Sequence, residues 1–218
     1  MFRFDLISIL IGVPTTLIAL SFHELAHGWV SSKLGDPTPK YQGRLTINPL
    51  AHLDFVGTLL MIFTGFGWAK PVEINPMYYK DRVKGMALVG LAGPIANFIL
   101  AFLSIFLGSL IIFGLQKAGT GGGVIGIVYT FLNVFAIRNL SFMVFNLIPF
   151  PPLDGFKVMG VFIKRDLYYK ILSYEHYIMY ILMFLCLTGA FSRTIGVGVS
   201  WFYEIIIRLT GSIFGMFM

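Results

Sequence analysis

The chain has 218 residues, 57% of them hydrophobic and only 12% charged. A soluble globular domain carries about 25% charged residues, so this chain has too little polar surface to cover a globule in water, and a bilayer is its natural solvent. The net charge of +6 does not point to nucleic acid, because the basic residues fall between apolar runs, as in membrane proteins that obey the positive-inside rule.

Residues 6–31 form the first apolar run long enough to span, since a span needs about 20 residues at 1.5 Å each. It resembles a signal peptide at its start, but no small-residue cleavage site ends it and it runs directly into a polar motif, so it is read as a retained span. Residues 55–66 are apolar but too few to cross, and Gly57 and Gly65 punctuate them, which predicts a re-entrant or interfacial element. The next spans are 86–114 and, after a glycine-rich turn, 124–148. Residues 174–216 are long enough for two more, broken near Ser192 and Arg193. Charge supports this arrangement. With 55–66 re-entrant, twelve Lys and Arg share one side of the membrane and Arg3, Lys117 and Arg193 share the other, which makes the rich side cytoplasmic. The expected fold is therefore an all-α membrane protein, a polytopic bundle of about five spans with a re-entrant, partly β segment between the first and second full spans. Residues 1–218 read as one integral-membrane domain, with a core at 1–160 and C-terminal spans at about 174–216. Cys186 is the single cysteine, which excludes an intrachain disulfide and a cysteine-rich metal site.

The strongest chemical signal is His23-Glu24-Leu25-Ala26-His27. On a helix, positions i and i+4 share a face, so both imidazoles can reach one ion, and Glu24 can act as general base toward an attacking water. Three ionisable residues in an apolar span are costly without partners and default to a functional reading; the alternative is a polar seam between helices. A catalytic zinc needs a third protein ligand. The carboxylates outside this span are Asp36, Asp54, Glu73, Asp81, Asp154, Asp166, Glu175 and Glu204. Most lie among Lys and Arg and read as solvated loop residues. Asp154 stands apart: Pro149, Pro151 and Pro152 end the preceding helix and hold the chain extended, Gly155 permits a tight turn, and the stretch can aim Asp154 back toward the membrane. Asn146 is either a donor to a developing oxyanion or an ordinary helix-ending asparagine. Asn139, two turns earlier, reads as interhelical glue. Gly90, Gly93 and Ala96, with Pro94, predict close helix packing. His52 is a fourth ligand, a proton carrier or an interfacial residue. Arg138 lies in mid-span, with a carboxylate or backbone carbonyls as its expected partner.

The pair of His23–His27 and Phe145-Asn146-Leu147-Ile148-Pro149-Phe150-Pro151-Pro152-Leu153-Asp154-Gly155 resembles the site-2 proteases, the intramembrane zinc metalloproteases. The stretches Gly67-Trp68-Ala69-Lys70-Pro71-Val72 and Leu91-Ala92-Gly93-Pro94-Ile95-Ala96-Asn97 are similar to small prokaryotic members. The resemblance covers about residues 15 to 160. It implies one zinc per chain held by His23, His27 and Asp154, Glu24 as the base, Asn146 holding the substrate or the oxyanion, and a transmembrane protein or peptide as substrate within the bilayer. It also implies a multi-pass protein of the cell membrane with its active site near the cytoplasmic side. Many relatives carry PDZ or CBS regulatory domains; neither is expected here. Two other readings fit the same motif: a membrane zinc protease of the CAAX-prenyl type, and a non-enzymatic transporter or scaffold with a polar metal site.

Overall fold

The computed structural model describes residues 6–64, 67–118 and 123–215, and among these every regular element is helical. In chain order they are α1 (Leu6–Lys33), α2 (Thr38–Tyr41), α3 (Phe55–Thr64), α4 (Arg82–Ala118), α5 (Val124–Asn146), α6 (Asp154–Met159), α7 (Arg165–Leu172), α8 (Glu175–Leu187) and α9 (Ser192–Gly215), with 3-10 turns at Pro49–His52 and Pro76–Tyr78.

α4 is the hub of the bundle. It packs against α1, α5, α6 and α9, while α5 also touches α1 and α9. Its outward side presents Leu88, Ile95, Ile99, Leu103, Leu107 and Leu110, all exposed, whereas Asn97 and Ser104 are buried on its inner side. Polar atoms inside and apolar ones outside suit a helix solvated by lipid. The apolar core proper joins Ala101 and Ile105 of α4, Ala136, Leu140 and Met143 of α5, and Ile206 of α9. In α1, Pro14 interrupts the backbone ladder. Nearby, Thr15 donates to the carbonyls of Ile11 and Gly12 at 2.8 and 2.9 Å, and Thr16 donates to Gly12 at 2.7 Å. These bonds give both buried hydroxyls a partner within the helix itself.

Two helices are long and apolar enough to cross a membrane, the 82–114 stretch of α4 and all of α5; the pair α7 and α8, bent by 64°, makes a third if it is counted as one broken span. The expectation of about five spans is thus met only in part by length and composition. α1 has 28 residues but carries the His-Glu-His motif, and α9 has 24 but carries Arg193, Glu204 and Arg208. α8 alone, with 13 residues, rises only about 20 Å.

The 55–66 segment departs from its expected partly β character. Its described part is the ten-residue helix α3, about 15 Å long, too short to cross. Among the described residues there is no strand, only an isolated antiparallel bridge between Leu53 and Ala69, supported by Lys70 N–H donating to the His52 carbonyl at 2.8 Å. Gly57 explains the close approach: a side chain there would run into the backbone and ring of Trp68.

Candidate metal centre

His23 and His27 lie one turn apart on the buried face of α1, at 4% and 6% exposure, and their Nε2 atoms are 2.9 Å apart. Asp154, 4% exposed, opens α6 and places Oδ2 3.1 Å from each Nε2. These are the described residues that form a cluster able to hold a metal ion. The segment delivering Asp154 is not extended, as the prolines had predicted. It is a run of tight turns in which Phe150 N–H donates to Ile148 and Leu153 N–H donates to Phe150, at 2.8 and 2.9 Å. Gly155 is required there, because any Cβ would collide with the Leu147 and Ile148 carbonyls.

The donor set fits a small divalent cation. His27 Nδ1 faces the Val89 carbonyl at 2.6 Å; a carbonyl only accepts, so Nδ1 carries the proton and Nε2 is left with a bare lone pair. That lone pair meets a second imidazole nitrogen and a carboxylate oxygen, a triangle of electron-pair donors that a cation reconciles. Bonds of about 2.0–2.1 Å to a tetrahedral zinc would set the ligand atoms roughly 3.3 Å apart, close to the observed sides. Gly93 of α4 closes the cluster from one side, since a Cβ there would lie 2.6 Å from both Nε2 atoms. Gly90, one turn earlier, lets the Asp154 carbonyl and Lys157 approach α4: a Cβ there would stand 3.0 Å from each. The close packing expected at these glycines is present.

Three features of the site were not foreseen. Lys157 donates from Nζ to Asp154 Oδ1 at 2.9 Å, which leaves Oδ2 for the cluster. Burial would lower its ammonium pKa, but the Asp154 charge outweighs this and holds it above the usual lysine range. Glu24, half-buried, accepts through Oε2 from the Val72 N–H at 2.8 Å, so the 67–75 segment is tied to the side chain expected to be the base. Asp36, grouped by sequence with solvated loop residues, is 1% exposed. It accepts from Ser31 Oγ, Thr38 N–H and Asn75 N–H at 2.7 to 2.9 Å and fastens the end of α1 to the loops beside the site. The isolated acidic letter gave no sign of this, although the Asp-Pro-Thr turn after Gly35 is a signal that could have found it.

The other sequence candidates lie outside the cluster. Asn146 is half-buried at the end of α5 and donates from Nδ2 to the Phe142 carbonyl at 3.0 Å. His52 is 2% exposed and faces the Thr46 carbonyl through Nε2 at 2.9 Å, which places it in the loop packing and not among the ligand atoms. Arg138 is exposed on α5 beside Gly12 and makes no ion pair or hydrogen bond with a described residue. Asn139, fully buried, joins Asn97 of α4 at 2.8 Å, as interhelical glue would.

The profile of peptidase family M50 matches residues 12–189. The chain is 37% identical over 183 residues to the "Putative zinc metalloprotease YwhC" of Bacillus subtilis, covering 82% of each chain. It is 25% identical to the "Putative zinc metalloprotease Rip2" of Mycolicibacterium smegmatis, over 87% of this chain and 69% of that one. It is 29% identical to the "Putative zinc metalloprotease MJ0611" of Methanocaldococcus jannaschii, over 82% and 85%. No solved structure matches it significantly. With the family profile covering most of the chain, including every residue of the His23, His27 and Asp154 cluster, this protein belongs to peptidase family M50, the site-2 protease family, and is a metalloendopeptidase.

Proposed function

We propose that this protein is an intramembrane zinc metalloprotease that hydrolyses peptide bonds in or near the transmembrane segments of other membrane proteins. The observation that carries the reading is the convergence of His23 Nε2, His27 Nε2 and Asp154 Oδ2 within 3.1 Å of one another at buried positions. These three residues hold one zinc per chain. Zinc bound there supplies Lewis acidity, which favours ionisation of water and polarises the scissile carbonyl.

Glu24 takes a proton from the water that attacks the carbonyl carbon and delivers it to the departing amide nitrogen. Its bond to Val72 N–H engages Oε2 and leaves Oε1 to receive that proton. Lys157 keeps Asp154 Oδ1 engaged. Asn146 has spent one Nδ2 proton on the Phe142 carbonyl; the other is available to the developing oxyanion. The substrate must present unpaired backbone, so the non-helical stretch at 67–75, next to Glu24, is the place where an unwound segment adds on.

The site lies toward the Lys33 end of α1. Trp29 there is exposed, with the Lys33 ammonium 5.5 Å from its ring, a pair typical of a membrane–water interface. Together with the basic bias, this supports α1, α4, α5 and the two C-terminal segments as about five spans, with the site near the cytoplasmic face. The deciding test is Glu24→Gln, assayed for cleavage of a model transmembrane substrate beside zinc content. Cleavage falling about 10²–10⁴-fold with zinc retained supports the reading; undiminished cleavage rejects Glu24 as the base and favours a non-proteolytic role for the site.

A further inference from the structure

Two asparagines that supply no ligand atom to the cluster, Asn97 of α4 and Asn139 of α5, are both 0% exposed. Asn139 Nδ2 donates to the Phe135 carbonyl of its own helix at 2.8 Å. That carbonyl only accepts, so the amide cannot be turned round, and Asn139 presents Oδ1 to α4. Asn97 Nδ2 donates to this oxygen at 2.8 Å and to the Ala19 carbonyl of α1 at 3.2 Å. Both partners accept, so Asn97 is also held one way round, with Oδ1 facing His23 Nδ1 at 2.6 Å. An oxygen at that distance requires His23 to carry its proton on Nδ1, which frees the Nε2 lone pair for the cluster.

We infer that Asn97, held by Asn139, is a positioning residue that selects the metal-binding tautomer of His23 by a relay of oriented amides running from α5 through α4 to α1. The inference rests on the zinc reading above. It follows from the direction of each hydrogen bond in the chain. His27 has its own separate device, the Val89 carbonyl, so the two ligands are set independently. A helix interface that needed only glue could use either amide orientation; here every orientation is forced by a backbone carbonyl, and the last oxygen ends on a ligand.

The test uses the whole chain with ¹⁵N-labelled imidazoles, prepared with and without zinc, as wild type, Asn97→Leu, Asn139→Leu and the double variant. Zinc affinity is measured by competition with a chelating indicator, and the tautomer of each histidine in the zinc-free protein from its ring ¹⁵N shifts. Asn97→Leu should weaken zinc about 10–100-fold and move His23 off the Nδ1–H tautomer while His27 keeps it. Asn139→Leu, which leaves the Ala19 anchor in place, should lose less, and the double variant no more than Asn97→Leu alone. Wild-type affinity in Asn97→Leu, or an unchanged His23 tautomer, overturns the relay and leaves the zinc reading standing. A tautomer change that spreads to His27 assigns Asn97 to packing and also overturns it. No zinc bound to the wild type overturns the proposed function and the relay together.

Discussion

In the junction of α1, α4, α5 and α6, the buried polar side chains His23, His27, Asn97, Asn139 and Asp154 are each bonded to a helix or segment other than their own. In the outer pair α8 and α9, Tyr177, Phe184, Trp201 and Leu209 face outward. There, among the described residues, the side-chain hydrogen bonds to the rest of the bundle are Tyr203 to Asn133 at 2.9 Å and a long Thr210–Ser109 contact at 3.4 Å. The first region is over-determined by directional bonds in a medium where an unpaired polar group is costly. The second is held by apolar packing that tolerates change. The family profile ends at residue 189, so it takes in the whole junction and α8 and stops before α9 begins.

The sharpest way to break that comparison is Gly93→Ala. Alanine is the better helix former by about 1 kcal/mol, so ordinary bookkeeping predicts a more stable α4. Its Cβ would nevertheless stand 2.6 Å from both Nε2 atoms. Zinc binding should fall at least about tenfold and cleavage about 100-fold, and the overlap, at about 1–3 kcal/mol, should offset the gain in helix propensity and lower the melting temperature. Zinc titration beside thermal melting checks this; full activity would mean that the junction is softer than described.

Acid should discriminate the regions next. Burial would raise the Asp36 carboxyl, but hydrogen bonds from the Asn75 N–H, Thr38 and Ser31 hold it below its ordinary value. A folded pKa below the unfolded one means stability that is present above about pH 4 and is lost as pH falls through the folded pKa. Melting of wild type and Asp36→Asn between pH 3 and 6 should show the wild type losing more on acidification, and the variant starting lower with a flatter profile. Parallel profiles would remove Asp36 as the anchor of these loops. The smallest effect belongs to α9: Tyr203→Phe deletes one half-buried hydrogen bond, should cost less than about 1 kcal/mol, and should leave cleavage unchanged. A large loss of cleavage would bring α9 into the working part of the enzyme.

What could be read from the sequence was local. The spacing of His23 and His27, the prolines before Asp154 and the glycines on α4 each announce themselves within a few residues, and all of them meet at one place in the fold. What escaped depended on partners far along the chain. Asn97 and His23 are separated by 74 positions and Val72 and Glu24 by 48, so nothing in either neighbourhood names the other. Lys157 reads as one more cytoplasmic cation until α6 forms and turns it, at i+3, onto Asp154. The re-entrant reading of 55–66 rests on a short apolar run with glycines, and its partly β character on the need for an edge strand to hold an unwound substrate. Gly57 in fact serves the approach of Trp68 to α3, and a run of that length does not by itself distinguish helix from strand. Asn146 shows the reverse case, a residue singled out by chemistry and resemblance whose amide turns partly back on its own helix.

The most direct test of the central claim is the zinc content of the purified protein, comparing wild type with His23→Ala and Asp154→Ala. About one zinc per chain is expected in the wild type, with that zinc and cleavage lost together in both variants. Zinc retained in full without Asp154, or none in the freshly prepared wild type, would contradict it.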